Sequence, residues 1–573
     1  MGDWAEVLTI GDTLVRAAAQ DPDGLAVVLP PHRVTYRQLH RDAERVALGL
    51  LGLGVRPGDR VGVLMPNCLP SIRTFFGLSL IGAVTVPINT RYAPGELAHV
   101  VGHAGLAAVV TTDASPEGLD LPATIRSALD LVGDADPRLV LLGGGPADGF
   151  IDDTALAEAA ATLDPGAVEA HRRRVRIRDL AVLLYTSGTT SRPKGCMHSH
   201  EPLVRTGIAR LVERPAVRER AAVWTPCPLF HVGALVPLIG CVATRAPFVT
   251  SRRFDAEEAI DLLRDERVGT ALPLFAAFTE AIMDHPRFAG TRLPDLGNIL
   301  TTGSRAAVAR AQRAFAPASL ISAYGMTETC GVSAISAPDE PDDERLDWDG
   351  TPLRGIEIAV WDRDTGEEAE PGRLGELVVR GYCVFDGYYR DPEASAAAFD
   401  DLGWFHTGDI GIADAPADRP GRIAFRGRYK DMLKVGGENV AATEVEDLVS
   451  LHPAVAQVAV IGVPDKRLDE VPAAYVELAG GVGPPGGVGP PGGAGPPGGA
   501  GPTGGAGATG GAQVDAAELI AFCRARAAPF KVPRYVCFLR PGEWPMSATK
   551  VNKVALRARA REDFHHYEPP EHP

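Results

Sequence analysis

The 573-residue sequence has few of the features that mark membrane, secreted or nucleic-acid-binding proteins. No apolar run reaches the roughly 18 residues that a transmembrane helix needs. The N-terminus lacks a basic segment followed by an apolar stretch, so no signal peptide is expected. The net charge is −16 and the basic residues form no stripe, which argues against nucleic acid as a partner.

Cysteine is also scarce, with eight residues scattered along the chain and no C-x-x-C or histidine-paired spacing. This pattern predicts neither a metal cage nor a catalytic cysteine. We expect reduced thiols, mostly in the core, of a cytoplasmic protein. The composition, 45% hydrophobic and 23% charged, is that of a globular protein, and the length is sufficient for two cores.

The most informative segment that is present is Tyr185–Gly195, which reads YTSGTTSRPKG and follows an apolar, strand-like stretch. Glycines let backbone N–H groups approach a polyphosphate, hydroxyls donate to its oxygens, and a lysine adds charge. The Walker spacing G-x-x-x-x-G-K-[ST] is absent, and a plain surface turn is the alternative. The candidate phosphate-binding residues are Thr186, Ser187, Gly188, Thr189, Thr190 and Lys194.

A second segment, Ser322–Thr329, reads SAYGMTET. Together the two segments resemble the signatures of the adenylate-forming superfamily, which includes acyl-CoA synthetases, luciferases and peptide-synthetase adenylation domains. The resemblance implies that Tyr324 and Gly325 lie at the adenine, that Thr327 touches the α-phosphate, and that Glu328 helps to hold Mg²⁺. One glutamate is enough, because Mg²⁺ keeps several waters and binds nucleotide phosphates.

Three further segments follow in the order of that family: Trp404–Asp409, Gly427–Asp431 and Lys434–Asn439. The resemblance implies that Asp409 and Arg428 bind the ribose, and a carboxylate suits a vicinal diol because it offers two acceptor oxygens. It also implies that Lys430 is the hinge between two domains. The loop expected to enter the site for thioester formation contains Lys434, Gly436, Gly437 and Glu438.

Near the C-terminus, Trp544–Lys553 resembles the family's catalytic-lysine motif, which usually reads P-x-x-x-T-G-K. The glycine is missing here, and lysine follows threonine directly. With one deletion, Lys550 takes the catalytic position and Lys553 the basic position three places on. We favour Lys550 and keep Lys553 as the alternative.

The acyl pocket has weaker signals. Pro228–Leu235 resembles a helix start beside the substrate carboxylate, where His231 is either a gate or carboxylate contact or a core histidine. In Asn298–Arg305, which occupies the place of the adenine-side turn, the candidates are Thr302, Gly303 and Ser304. The expected pocket neighbours are Phe230, Leu235, Leu272, Pro273 and Phe275. Their apolar character favours a medium- or long-chain fatty acid, with an aryl acid second.

Amphipathic helical patterns alternate with short apolar strand patterns in the N-terminal region, which favours an α/β fold. A helix is expected to open within residues 34–39 and to run to about residue 53, and strands are expected over 60–65 and 83–89. The resemblance implies a large N-terminal domain of layered sheets and helices, residues 1–427, which holds the ATP and acyl pocket. It also implies a small, mobile α+β C-terminal lid domain, residues 428–573.

Two segments have biased compositions. Residues 480–512 are rich in glycine and proline, with glycine at every third position as in collagen. About half of the triplets begin Gly-Gly and so lack the proline that stiffens a triple helix. We therefore interpret this segment as a flexible insertion within the small domain. The acidic run Asp339–Glu344 is expected to be a solvated loop.

The resemblance implies an ATP-dependent carboxylic acid:CoA ligase, with ATP, Mg²⁺ and coenzyme A as cofactor or co-substrates. The carboxylate would become an acyl-AMP with release of pyrophosphate, and the acyl group would then pass to the thiol. One alternative is a stand-alone adenylation enzyme that loads a carrier-protein pantetheine. Another is a non-enzymatic scaffold with a collagen-like arm. No oligomeric state is predicted.

Overall fold

The computed structural model describes residues 8–113, 115, 118–133, 135–186, 193–213, 220–303, 305–363, 365–414, 421–435, 438–465, 467–479, 514–547 and 550–563. The α-helices are α1 (Ile10–Gln20), α2 (Tyr36–Gly52), α3 (Leu69–Ile81), α4 (Pro94–Ala104), α5 (Leu121–Val132), α6 (Asp153–Ala161), α7 (Ala167–Arg172), α8 (His200–Val212), α9 (Val232–Thr244), α10 (Ala256–Asp265), α11 (Ala276–Asp284), α12 (Arg305–Ala314), α13 (Asp342–Asp347), α14 (Pro392–Ala397), α15 (Ala442–Ser450), α16 (Ala516–Arg524) and α17 (Lys553–Asp563). Short 3₁₀ helices span Phe288–Gly290, Thr327–Thr329, Tyr429–Asp431 and Pro529–Lys531.

The strands are β1 (Leu25–Leu29), β2 (His32–Thr35), β3 (Arg60–Leu64), β4 (Val84–Pro87), β5 (Ala108–Thr111), β6 (Arg138–Leu141), β7 (Leu180–Thr186), β8 (Lys194–Ser199), β9 (Ala222–Trp224), β10 (Phe248–Val249), β11 (Val268–Phe275), β12 (Asn298–Thr302), β13 (Ser319–Ile321), β14 (Ala323–Tyr324), β15 (Ala334–Ile335), β16 (Thr351–Pro352), β17 (Ile356–Asp362), β18 (Glu367–Glu368), β19 (Gly375–Gly381), β20 (Phe405–Ala413), β21 (Ile423–Arg428), β22 (Met432–Val435), β23 (Glu438–Ala441), β24 (Val455–Asp465), β25 (Asp469–Leu478), β26 (Tyr535–Phe538), β27 (Met546–Ser547) and β28 (Lys550–Val551).

The predicted α/β class is confirmed by two large, mostly parallel sheets. One has the strand order β13-β12-β11-β9-β10-β1-β2 and the other β6-β5-β3-β4-β7-β8. Among the described strands of these two sheets, only the edge pairs β1–β2 and β7–β8 are antiparallel. Antiparallel sheets follow along the chain, in the orders β14-β15-β16 and β18-β17-β19-β20-β21.

The helix expected near residue 36 has a sequence-encoded start. The Thr35 side chain accepts a hydrogen bond from the backbone of Gln38, and the Gln38 side chain accepts one from the backbone of Thr35. This capping box satisfies two N–H groups that a helix start leaves unpaired. The helix spans Tyr36–Gly52, close to the prediction, and the expected strands are β3 and β4.

The smaller C-terminal domain is built on a separate sheet, β23-β22-β25-β24, with β26 paired to β25. Along β24, Val460 belongs to one apolar core, while its neighbours Ala459 and Ile461 belong to another. This alternation follows from the two-residue period of a strand, which sends successive side chains to opposite faces. Helices α15 and α16 contribute to the first core and α17 to the second.

The predicted domain boundary at residues 427/428 falls at the end of β21, and it stays a prediction. The predicted insertion, residues 480–512, lies outside the described residues. The expected acidic loop is partly wrong, because α13 begins at Asp342. Acidic side chains in a first helical turn are stabilised by the helix dipole, and Arg345 anchors this helix by lying buried against the Pro338 carbonyl.

No helix in the described parts of the chain is long and apolar enough to cross a membrane. All eight cysteines are buried and free, as the sequence predicts. Burial raises the pKa of their thiols, for example that of Cys227 to about 12.

Candidate active site

Two paired strands flank the predicted phosphate loop. Strands β7 and β8 pair antiparallel, with Thr186 opposite Lys194. The strand pairing therefore fixes these two residues next to each other at the two ends of the predicted loop. The predicted residues that lie outside the described part of the chain are Ser187, Gly188, Thr189 and Thr190, and the same holds for Ser304.

Lys194 and Glu328 both contact Tyr388, a residue that the sequence did not single out. The Tyr388 hydroxyl donates a hydrogen bond to Glu328 Oε1, with an oxygen–oxygen distance of 3.1 Å. The Lys194 ammonium lies 5.0 Å from the centroid of the same ring, and 3.8 Å from Asp391 Oδ2. A tyrosine 60 positions from its glutamate has no spacing signal in one sequence.

Burial determines the protonation state of the Tyr388 phenol in this contact. Burial, and then the charge of Glu328, raises the pKa of Tyr388. The phenol therefore stays protonated and acts as a donor to the carboxylate. A neutral donor to a carboxylate orients the acid without neutralising its charge.

Tyr324, Asp409 and Arg428 form a second cluster. Asp409 and Arg428 are cross-strand partners in β20 and β21, and Arg428 Nε lies 2.9 Å from Asp409 Oδ1. The Tyr324 hydroxyl donates to Asp409 Oδ2 at 3.1 Å. The Asp409 side chain is only 4% exposed. The structure thus brings together the residues predicted for adenine and ribose.

The Tyr324 ring is itself held by its surroundings. It stacks on Phe425, with the ring centroids 6.2 Å apart. Burial, and then the Asp409 carboxylate, raises the pKa of Tyr324, so the phenol remains a donor. The residue is 5% exposed.

A tight turn joins the two clusters. A Cβ atom at Gly325 would lie 2.6 Å from the Gly331 carbonyl oxygen, so the close backbone approach requires glycine. Thr327 and Glu328 lie in the 3₁₀ helix that follows. Behind it, His198 Nδ1 is 3.4 Å from Cys330 Sγ, and both side chains are fully buried.

His231 lies at the start of α9, as predicted. It is the N-cap residue, and its ring centroid is 4.7 Å from that of Phe230. An apolar cavity of about 20 Å³ adjoins this segment and is lined by residues that include Val63, Ile72, Phe75, Phe230, Leu235 and Leu238. A cavity of this size holds about one water molecule, so it does not by itself define an acyl pocket.

The predicted residues of the adenine-side turn lie at the end of β12 and just after it, and the remaining predicted pocket residues lie on β11. The Thr302 hydroxyl donates to the Leu274 carbonyl at 2.7 Å, and Gly303 lies against Ala276. Leu274 has a φ of 66°, a conformation that a leucine rarely adopts, at an irregularity in strand β11. Leu272 is buried in the core, whereas Phe275 is partly buried.

The predicted hinge lies in the 3₁₀ helix between β21 and β22. Burial, and then the neighbouring Arg428, lowers the pKa of Lys430. The next residue, Asp431, pairs with Arg557 of α17 at 2.7 Å. Hydrogen bonds also join the two sides of the boundary, since the Thr443 hydroxyl donates to the Arg426 carbonyl at 2.5 Å.

The described residues of the predicted thioester-step loop belong to the paired strands β22 and β23. Lys434 is paired with Asn439 and lies exposed, and its N–H donates to Glu470 at 3.0 Å. Glu438 pairs with Val435 across the hairpin. Gly436 and Gly437 lie outside the described residues.

The two candidate lysines occupy different positions. Lys550 lies in β28, opposite Ser547 of β27. Lys553 begins α17, and its ammonium lies 2.7 Å from Glu446 Oε1 within the small domain. Glu446 also accepts a hydrogen bond from the Val460 N–H, so it is held in place by the sheet. The pair with Glu446 therefore gives Lys553 a structural role within the small domain.

The donor set fits magnesium that is bound mainly through a nucleotide. The described residues include no group of three or more histidine, cysteine, aspartate or glutamate side chains suited to a metal. Glu328 offers one carboxylate next to the phosphate-loop hairpin. Mg²⁺ commonly uses one or two carboxylates with phosphates and water, so Glu328 would be its protein ligand.

Comparisons with known proteins agree with this arrangement. Residues 14–389 match the family model of the AMP-binding enzyme, and residues 444–486 match that of the AMP-binding enzyme C-terminal domain. A long-chain-fatty-acid–CoA ligase of Mycobacterium tuberculosis is 31% identical over 96% of this chain and 98% of its own length. A feruloyl-CoA synthase of Amycolatopsis is 32% identical over 92% of this chain and 94% of its own.

The fold is shared with solved structures. ATP-bound MatB from Rhodopseudomonas palustris superposes with a TM-score of 0.77 at 25% identity, over 97% of this chain and 99% of that one. These matches confirm the predicted fold class, a large N-terminal domain with a smaller C-terminal one, and the expected use of ATP, Mg²⁺ and coenzyme A. The chain therefore belongs to the AMP-binding enzyme family and is an AMP-forming acid–thiol ligase of the acyl-CoA synthetase type.

Proposed function

We propose that this enzyme activates a fatty acid of medium or long chain as acyl-AMP and passes the acyl group to coenzyme A. The observation that carries the proposal is the placement of two clusters at one turn. Tyr324, which precedes Gly325 in the chain, is hydrogen-bonded to Asp409. Glu328, which follows Gly325, is hydrogen-bonded to Tyr388. A nucleotide that spans this turn would present its ribose to the first cluster and its phosphates to the second.

In the first step the substrate carboxylate oxygen attacks the α-phosphorus of ATP, and the bond to pyrophosphate breaks. A carboxylate is a poor electrophile because its leaving group would be oxide, whereas an acyl-adenylate loses AMP, a stable anion. The attack joins two anions, so it needs preorganised positive charge and donors. Lys194, Thr327 and Lys550 would supply these, and Mg²⁺ bound at Glu328 adds charge neutralisation when present.

In the second step the coenzyme A sulfur attacks the acyl carbonyl carbon. The carbonyl–oxygen bond to AMP then breaks, and the thiol proton leaves to solvent. The β22–β23 hairpin that contains Lys434 would contribute to this step after the small domain turns about Lys430. The two steps would thus use different residues of the small domain.

The choice of a fatty acid as the proposed substrate rests on the apolar side chains of the predicted pocket. Phe230, Leu235, Leu272 and Phe275 are apolar, and His231 stands at the entrance of α9. Relatives named for fatty acids and for ferulate are almost equally similar to this chain, so similarity alone does not choose between aliphatic and aryl acids. An acyl chain gains roughly 0.8 kcal/mol for each methylene that such a surface buries.

The test is acid-dependent pyrophosphate release with ATP and Mg²⁺ across saturated fatty acids of increasing length and a set of cinnamic and benzoic acids. We expect kcat/KM to rise with chain length through the medium range and to exceed that of every aryl acid. A maximum among the aryl acids would overturn the proposed substrate class. No release with any acid would overturn the proposed reaction.

The thiol acceptor is tested separately. With the best acid, coenzyme A is replaced by a panel of holo carrier proteins at equal thiol concentration. We expect thioester formation with free coenzyme A. Faster transfer to a carrier protein would favour the alternative of a stand-alone carrier-loading enzyme.

A further inference from the structure

The segment that contains Tyr388 is tied by its backbone to both halves of the phosphate site. The Met197 N–H donates to the Gly387 carbonyl at 3.0 Å, and the Tyr389 N–H donates to the Gly195 carbonyl at 2.8 Å. These bonds add the segment to β8, the strand that leaves the predicted phosphate loop. The Phe385 N–H also donates to the Glu328 carbonyl at 2.8 Å.

Tyr388 is fixed by one further side-chain contact and one backbone hydrogen bond. Its ring packs edge-on against Phe385, with centroids 4.8 Å apart. The backbone N–H of Tyr388 donates to Ser395 Oγ at 2.9 Å, within α14. The phenol oxygen consequently has a defined position when it meets Glu328.

Tyr388 separates a cation from an anion. The Lys194 ammonium lies over the ring at 5.0 Å, and Glu328 Oε1 accepts from the hydroxyl at 3.1 Å. Among the ion pairs of the described residues, Lys194 pairs with Asp391 at 3.8 Å rather than with Glu328. The cation–π contact holds Lys194, and the neutral phenol donor holds Glu328. In this arrangement the two charges do not form an ion pair with each other.

We propose that Tyr388 is a positioning residue that keeps Lys194 and Glu328 apart and oriented, so that a nucleotide phosphate and its magnesium bind between them. The inference rests on the proposed function of this site, and it assigns a role to a residue outside the signature segments. Without the hydroxyl, the Glu328 carboxylate loses one of the donors that orient it, although the Cys196 thiol still contacts it. A turn toward Lys194 would then form an ion pair that competes with phosphate and magnesium.

Tyr388→Phe tests this role, because it removes only the hydroxyl and keeps the ring beneath Lys194. Tyr389→Phe is the matched control, since Tyr389 packs against His103 and Arg390 instead. Calorimetric titration measures ATP binding to each full-length protein over a series of Mg²⁺ concentrations. The same proteins are assayed for pyrophosphate release and for thioester formation from supplied acyl-AMP.

For Tyr388→Phe we expect the Mg²⁺ concentration for half-maximal ATP binding to rise about tenfold, as for loss of one hydrogen bond to a charged group. Thioester formation from acyl-AMP and the thermal unfolding midpoint should match the wild type. Tyr389→Phe should match the wild type in every measurement. These outcomes together support the positioning role.

An unchanged Mg²⁺ dependence of ATP binding in Tyr388→Phe would overturn the inference. Equal loss of both half-reactions, with a lowered unfolding midpoint, would also overturn it and show a general structural role. Failure of the proposed function is distinguishable, because then the wild type itself would bind ATP and Mg²⁺ but release no pyrophosphate with any acid.

Discussion

Asp409 and Arg428 face each other across the antiparallel pair β20–β21, with Arg428 Nε 2.9 Å from Asp409 Oδ1. They are separated by 18 residues in the sequence, yet strand register makes them nearest neighbours. The second carboxylate oxygen accepts the Tyr324 hydroxyl at 3.1 Å. One buried carboxylate thereby fixes an aromatic ring and a guanidinium around the predicted ribose site.

Asp409→Asn should raise the KM for ATP by about 10- to 100-fold, with a smaller change in kcat. The amide has one acceptor oxygen in place of two, and hydrogen bonds to charged groups contribute about 1.5–3 kcal/mol each. The measurement is the ATP dependence of acid-dependent pyrophosphate release. Asp414→Asn is the control, because Asp414 pairs with Arg422 away from Tyr324; equal effects of the two substitutions would contradict the ribose role.

Lys550→Ala should lower adenylate formation by about 10²–10³-fold, the usual cost of one preorganised donor to developing charge. Thioester formation from supplied acyl-AMP should be retained. The two half-reactions are measured separately, by pyrophosphate release and by consumption of synthetic acyl-AMP with coenzyme A.

Lys553→Ala is the companion variant, because Lys553 pairs with Glu446 at 2.7 Å. It should keep adenylate formation and lower the thermal unfolding midpoint. A larger loss of adenylate formation in Lys553→Ala than in Lys550→Ala would reverse our assignment of the catalytic lysine.

His200 should make the protein less stable in acid. Burial lowers the pKa of His200 from 6.5 to about 4, so the folded state favours the neutral ring, whose Nδ1 accepts the Ile10 N–H. The stabilisation is complete above pH 6.5 and is lost as pH falls through about 4. This residue alone would contribute on the order of 3 kcal/mol to that loss.

The matching variant is His200→Asn, which keeps an acceptor but does not titrate. Its free energy of unfolding should be lower at pH 7 and should fall less steeply between pH 6.5 and 4, as measured by urea denaturation. His32→Gln, at an exposed position of β2, should follow the wild-type slope. A wild-type slope in His200→Asn would contradict the prediction.

Arg210→Met should leave the protein equally stable or more stable, by on the order of 1–3 kcal/mol. Arg210 lies fully buried on α8, and its Nε and Nη2 atoms have no hydrogen-bond partner among the described residues. Burial lowers the pKa of the guanidinium to about 10, so it still holds its charge at pH 7. A buried charge without a partner is costly, and methionine fills a similar volume.

Urea denaturation at pH 7 measures the Arg210 effect. Arg264→Met is the control, because Arg264 lies on the exposed face of α10 and the change should stay within about 0.5 kcal/mol. A loss of more than about 2 kcal/mol in Arg210→Met would indicate a buried anionic partner.

The sequence predicts well those structural features that depend on residues close together in the chain. Helix α2 begins after the capping box at Thr35, and the apolar period that follows continues the helix to Gly52, within one residue of its expected end. The prediction of a loop for the acidic run at Asp339 was wrong in part, because charge alone does not distinguish a loop from a helix start. There the short helix is tied to a part of the chain outside the run, because the Ser322 hydroxyl donates to the Arg345 carbonyl.

By itself, the sequence determined the α/β class, the burial of the cysteines and the order of the nucleotide-binding segments, because these depend on composition, local period and short motifs. Tertiary structure decided that Tyr388 stands between Lys194 and Glu328, that Arg428 pairs with Asp409, and that Lys553 is held by Glu446. Each of these contacts joins residues that are 19 or more positions apart in the sequence. Strand register and packing choose such partners, and a single sequence holds no local signal for them.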